Sequence, residues 1–469
     1  MVSFNQFIII LSRVDELFLA LYMLILTFIY FTFPFNKKIL SKISNSSKFN
    51  SFDAISINFV FHFCFLLILS FFKINHLLIG YVIVFLAILM NLNLIKSIKL
   101  SLLNSLFFIF LLVYSIKFTS FASLEWDGLS HWFYKTQIFY QDGSLADFQK
   151  VPYPFYPHLG PYIWAHFWKL ANIEFLINVA ELHPLVITPY EYLGRFFYII
   201  IFLTSCICLS NRINNYYLKI IYFVGMVIFF REESLLFGGY QEHLLFSLIA
   251  IFSSFYFFLE IEFKSNKIKF SILYILILVI LPWIKDEGII GSIILLSIIF
   301  FTKKYIFKEK LLIFLVFFIL NYLSYYFELQ AKGVIEFQIE KKFNLFFSYY
   351  SDIGLIFNII SSLIFETIKV FFRYPIWFIF LICAYYMLKN TKKREANYIK
   401  IICIVFFVQF MILFVGYLFL FVDQLYKEPI WALQTSVYRL LLNTSGLYSV
   451  ILIKFFNAYG EKFFVTKSN

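Results

Sequence analysis

The amino-acid sequence predicts an all-α polytopic membrane protein with about 13 transmembrane helices and a large external loop after the fourth. Three observations carry that reading. Hydrophobic residues make up 62% of the 469-residue chain and charged residues only 14%, with a mean hydropathy of +0.84; a soluble domain is about half apolar and a quarter charged. The apolar residues fall into runs near the roughly 20 residues that a spanning helix needs. The charges between those runs are asymmetric, as expected when basic loops stay on the cytoplasmic side.

In chain order, the candidate spans 17–35, 55–72, 76–95 and 100–118 make up an N-terminal region, 1–118. A polar interruption, 119–190, follows. The C-terminal region, 191–469, holds candidates at 193–210, 217–230, 243–259, 270–284, 288–301, 311–327, 375–388, 399–421 and 433–456. The apolar segment 353–372 is interrupted by Glu366 and Lys369 and flanked by Asp352 and Arg373, so it is expected to lie in the interface and to close a smaller external loop, 328–374. The loop 36–54 carries Lys37, Lys38, Lys42 and Lys48. Placing it in the cytoplasm puts the basic excess inside and leaves the other side acidic. The N-terminus and the 119–190 loop are then outside and the C-terminus inside. No cleavable signal pattern is evident: Arg13, Asp15 and Glu16 precede an apolar stretch without a small-residue cleavage site.

The formal net charge of +12 is explained by those cytoplasmic loops. No basic patch on a soluble domain points to nucleic acid. The cysteines Cys64, Cys206, Cys208, Cys383 and Cys403 all sit in apolar runs and read as small buried hydrophobes, with no disulfide framework or metal knuckle.

The unusual polar residues gather on the outer side. Asp127, His131 and Lys135 recur every four residues in the amphipathic segment 126–140, which places them on one helical face. A carboxylate beside an aromatic surface suits a general base acting on a hydroxyl, with Glu125 a second acid nearby. His131 fits an orienting hydrogen-bonder. With Asp127 it supplies two ligands for a divalent cation, and a metal site needs a third, so no cofactor is invoked. The run Pro152–Pro161, with Tyr156 and His158, cannot form a regular helix; with Trp126 and Tyr240 it offers aromatic walls for a sugar ring or for lipid headgroups. Lys135, Arg231, Lys285 and Arg439 are cations suited to a donor phosphate at the membrane boundary, the last three near helix ends. Glu242 and Glu287 are suited either to neutralise them or to support the acid.

Trp126-Asp127 with Trp132 and Lys135, Tyr156-Pro-His-Leu-Gly-Pro161, Gly239-Tyr-Gln-Glu-His-Leu244, Lys285-Asp-Glu-Gly288 and Tyr438-Arg-Leu-Leu-Leu442 follow one another over about residues 119–450. In that order they resemble bacterial GT-C glycosyltransferases of the protein-mannosyltransferase-like and aminoarabinose-transferase-like group. The resemblance implies sugar transfer from a polyprenyl-phosphate donor, at the outer face of the bacterial inner membrane, to a lipid-linked glycan or other envelope acceptor. The group's catalytic acid maps onto Asp127, its Tyr-x-Asp-like motif onto Tyr240-Gln241-Glu242, and its Lys-Asn-Glu-Gly-like motif onto Lys285 to Gly288. Four predicted spans before the loop, where the group has one, leave the acceptor open. The alternatives are an O-antigen polymerase or ligase type of enzyme, whose loop usually lies late in the chain, and a transporter or flippase of lipid-linked sugars. A transporter would place polar residues mid-span.

Overall fold

A computed structural model describes residues 14–44, 49–91, 101–120, 124–125, 127–150, 156–171, 191–230, 236–259, 267–302, 305–331, 353–391, 393–424 and 429–464. Every regular element among them is helical. Among the described residues three helices are long and apolar enough to cross a membrane, or four if one bent pair counts as a span. The three are Ser51–Leu69, Glu191–Ser210 and Val437–Gly460. Others, such as His76–Asn91 and Glu287–Phe301, belong to a shorter class of 10–17 residues. At 1.5 Å per residue the longest of these reach about 25 Å, short of a hydrocarbon core of about 30 Å. The segments Ile360–Arg373 and Ile376–Asn390 meet at 91° across Tyr374-Pro375, where the proline disfavours a helical conformation in the residue before it. The two cannot form one straight span.

The helices that position the site are α1 (Val14–Tyr30), α2 (Lys37–Ser44), α3 (Ser51–Leu69), α4 (His76–Asn91), α5 (Leu102–Ser120), α6 (Tyr134–Tyr140), α7 (Leu159–Ala171), α8 (Phe196–Ser210), α9 (Tyr216–Phe230), α10 (Glu242–Phe258), α11 (Lys267–Ile284) and α12 (Glu287–Phe301). They are followed by α13 (Phe307–Ala331), α14 (Ile353–Arg373), α15 (Ile376–Asn390), α16 (Lys393–Gln424) and α17 (Pro429–Phe464). At the centre, α10 packs between α8 and α17. A Cβ on Gly446 of α17 would lie 2.9 Å from Ala250 of α10, so these two small residues set the close crossing of the helices.

The segment expected as a water-facing external loop is, in its described part, folded into the bundle. Every residue of α7 except Lys169 is buried. Its Trp164, His166, Phe167 and Trp168 are packed among neighbouring helices, because so much aromatic surface is stabilised by leaving water. The hydroxyl of Ser70, which follows α3, bonds to His158 Nε2 at 2.8 Å, at the head of α7. The rest of that stretch, 121–123, 126, 151–155 and 172–190, and residues 332–352 of the smaller expected loop lie outside the described residues.

Candidate functional site

Two glycine-bearing segments touch and bring the acids together. The backbone N–H of Glu125 donates to the carbonyl of Gly238 at 3.1 Å. A Cβ on Gly128 would lie 2.1 Å from that same carbonyl oxygen, so only glycine fits there. Gly239 has φ +83°, in the left-handed region that favours glycine. The chain after Asp127 starts as a π-helical turn, Gly128–Phe133, before it becomes α6. Such wide turns are frequent at functional sites. The helix expected over 126–140 is thus regular only from Tyr134, and before it stands a wide turn whose first residue is pressed against Gly238 and Gly239.

Four distant segments converge on one ionic cluster. Arg439 of α17 donates from Nη2 to Asp127 Oδ2 at 2.5 Å and from Nε to Glu242 Oε1 at 2.5 Å. Lys285, in the break between α11 and α12, donates to the same Glu242 oxygen at 2.6 Å and lies 3.3 Å from Glu287. Glu242, the first residue of α10, is fully buried, and its Oε2 has no hydrogen-bond partner among the described residues. The Asp127 side chain is 14% exposed. Its Oδ2 is held by Arg439, and no described residue bonds to its Oδ1. The Lys285–Glu287 break is closed by Gly288, whose Cβ would stand 1.9 Å from the Leu281 carbonyl oxygen.

Aromatic rings border the cluster. The Arg439 guanidinium lies 4.7 Å from the centroid of Tyr240. Burial and the nearby Asp127 carboxylate push the Tyr240 phenol up to about 12. His131 stacks on Tyr156 with centroids 5.0 Å apart. Its burial holds the imidazole below its ordinary value against the opposing pull of Asp127. A narrow crevice continues from Glu287 between α10, α12 and α17, lined by Leu245, Ile249, Gly291, Leu440 and Asn443.

Other candidates from the sequence stand elsewhere. Lys135 is fully buried, donates to the Tyr156 carbonyl at 2.8 Å and lies within 6 Å of the Trp132, Phe148 and Tyr156 rings. It braces the wall behind His131 and does not join Arg439. His158 is also fully buried, between Ser70 and the rings of Phe71 and Trp283, and is part of the helix packing. Glu125 contributes its backbone, and its side chain is exposed. Trp126 and Arg231 lie outside the described residues. Among the described residues no three His, Cys, Asp or Glu side chains are grouped so as to hold a metal.

The sequence reading passed over Arg195 and Gln241. Arg195 is fully buried, and its guanidinium takes both oxygens of Glu191 at 3.1 and 2.9 Å. It stood inside the apolar run 193–210, and a charge in a span is itself a functional signal. Gln241 accepts from Tyr198 at 2.9 Å and packs where a Cβ on Gly160 would be. No protein-family model, curated protein or solved structure matches this chain.

Proposed function

We propose that the chain is an integral-membrane glycosyltransferase that moves a sugar from a polyprenyl-phosphate donor to a hydroxyl of an envelope glycan, lipid or protein acceptor. The observation that carries this reading is the convergence of Asp127, Glu242, Lys285 and Arg439 from four segments on one cluster. That cluster sits beside an aromatic wall and at the head of a narrow crevice of mixed lining.

The chemistry follows from the pairing. As the structure stands, both cations are engaged by carboxylates. The donor phosphate takes over the Nη2 side of Arg439 while Nε keeps its bond to Glu242. Asp127 is then released from its cation and becomes a stronger base. The acceptor oxygen attacks the anomeric carbon, its proton passes to Asp127, and the carbon–oxygen bond to phosphate breaks. The electron pair leaves on the lipid phosphate, where Arg439 and Lys285 meet the growing charge. The attack comes from the face opposite the leaving group, so configuration inverts. Orientation outward in a bacterial inner membrane belongs to the same proposal.

Purified protein in lipid nanodiscs, given a polyprenyl-phosphate sugar and an envelope-lipid extract, tests this. Asp127→Asn is expected to lose transfer while inserting and folding like the parent. Transfer at the parental rate by that variant would remove Asp127 from the role.

A translocating protein is the second reading, favoured by one observation. His76 and His166 face each other with Nδ1 atoms 3.3 Å apart, and His62, Tyr30 and Tyr162 are packed around them, all buried. Interior ionisable groups of that kind mark substrate or proton pathways in transporters. Donor consumption in the nanodisc assay supports the transferase. Movement of intact donor between leaflets of a sealed vesicle, without consumption, supports the translocator.

A further inference from the structure

We propose that Glu191 and Arg195 form the positioning element of the site, a buried clamp that fixes the Gly238–Gly239 turn and thereby the placement of Asp127. Neither residue reaches the ionic cluster. Both lie in a 3-10 turn, Glu191–Arg195, that leads into α8.

The clamp is tied on three sides. Arg195 grips Glu191 through two hydrogen bonds, and its Nη1 donates to the carbonyl of Phe237, the residue just before the glycine pair. Trp164 of α7 donates from Nε1 to the Glu191 carbonyl at 3.0 Å. The Arg195 guanidinium lies over the rings of Phe118, at 4.9 Å, and Trp164, at 5.4 Å. The far edge of Trp164 in turn reaches Gly239, whose Cβ would lie 3.4 Å from Cη2. The turn is therefore held from behind by Arg195 and Trp164, and on its front it receives Gly128 and the Glu125 N–H. Asp127 sits between those two contacts, and Tyr240 and Glu242 follow the turn directly.

The residue types fit the task. A guanidinium is planar, always charged, and bonds a carboxylate and a carbonyl in fixed directions at once. Lysine in its place keeps the charge and loses the fork. A buried arginine with a paired carboxylate also resists displacement, because either group left alone would be a buried unpaired charge.

The test reads the turn directly, and only its kinetic arm rests on the transferase reading. With 3-fluorotyrosine at position 240, fluorine-19 NMR follows the phenol, which faces Asp127, Glu242 and Arg439. In Arg195→Gln the titration midpoint is expected to fall by about one pH unit or more as the turn leaves Asp127 and water enters. Arg195→Lys should fall by less. Glu191→Gln, which keeps the Phe237 contact, provides the same reading if Arg195→Gln does not fold. Arg212→Gln, at the other end of α10, controls for general loosening and should leave the midpoint in place.

A parental midpoint in the folded clamp variants would overturn the proposal, and so would an equal fall in Arg212→Gln. In the transfer assay Arg195→Gln should lower kcat about 100-fold, with KM within a few-fold, as expected when a reacting group is misplaced but binding is kept. If the parent itself transfers nothing, the transferase reading fails, and the Tyr240 titration still decides the clamp.

Discussion

At one end of α10, Asp53 and Arg212 form a closed pair; at the other, Asp127, Glu242, Glu287, Lys285 and Arg439 form an open cluster. Arg212 donates to Asp53 Oδ1 at 2.6 Å and to Ser254 at 2.8 Å. The second Asp53 oxygen accepts the Asn50 N–H at 3.0 Å in a capping box at the start of α3. Asn457 takes the Arg212 carbonyl at 2.8 Å. One acid meets one base, and both carboxylate oxygens are bonded. The open cluster has three carboxylates for two cations. It leaves Glu242 Oε2 buried without a partner among the described residues and Asp127 partly exposed. Glu242 and Ser254 are twelve residues apart on one helix, about 18 Å, so the contrast arises within a single bundle. A pair that only holds helices together is expected to be satisfied. A set of charges left short of partners next to solvent is expected to be completed by a ligand.

The sharpest way to break that contrast is to neutralise one acid at each end. Asp127→Asn is expected to lower transfer by about 1,000-fold, within the range for removal of a general base. It should cost less stability than Asp53→Asn, because Arg439 keeps its ion pair with Glu242. Asp53→Asn strands Arg212 in the interior and should cost about 3–5 kcal/mol, while transfer per folded molecule stays parental. Thermal unfolding in detergent and the nanodisc assay measure the two quantities on the same preparations. If both variants lose mainly stability, the open cluster is only a second structural pair.

Gly128→Ala sharpens the comparison next. Its Cβ would collide with the Gly238 carbonyl oxygen, moving Asp127 without altering any charged group. A displacement of about 1 Å is enough for a loss of about 100-fold in kcat. Parental kcat would mean that the glycine contact does not set the site. At the closed end, replacing the pair with apolar residues, Asp53→Leu with Arg212→Met, should recover much of the stability lost by Asp53→Asn, to within about 2 kcal/mol of the parent. A double variant less stable than Asp53→Asn would show that the pair does more than satisfy itself.

These ends were unequally legible in the sequence. Asp127, Glu242, Lys285 and Arg439 stood out as ionisable groups at the ends of apolar runs, where charge is rare, and they do meet. Their meeting depends on Gly128, Gly238 and Gly239, whose role is a contact between two chain segments more than 100 residues apart and leaves no periodic trace. Lys135 and His158 carried the same kind of signal and lie in packing, because spacing along a helix does not say which neighbours close over a face. Arg195 and Arg212 were hidden at the edges of predicted spans. Helix content was read correctly from the apolar runs, and the break at Lys285 to Glu287 separates two of them. The described residues do not bear out thirteen spans, and the described part of the 119–190 stretch folds inward through aromatic residues that resemble a surface loop in composition.

The smallest expected effect concerns pH, and it belongs to the open end alone. His131 is buried against Tyr156 and faces Asp127, Lys135 and Lys285. Its imidazole is held below the ordinary value, first by burial, so the folded protein favours the neutral ring and the unfolded chain binds the proton more readily. Stability from this group is therefore complete above the ordinary imidazole value of about 6.5 and is lost as pH falls from there through the lower folded value. The melting midpoint should drop between about pH 7 and pH 5. His131→Gln should remove part of that drop. The closed pair has no histidine among its bonded partners, so Arg212→Gln should lower the whole curve without changing its slope. A His131→Gln curve parallel to the parent's would show that this ring is not strained by its place in the cluster.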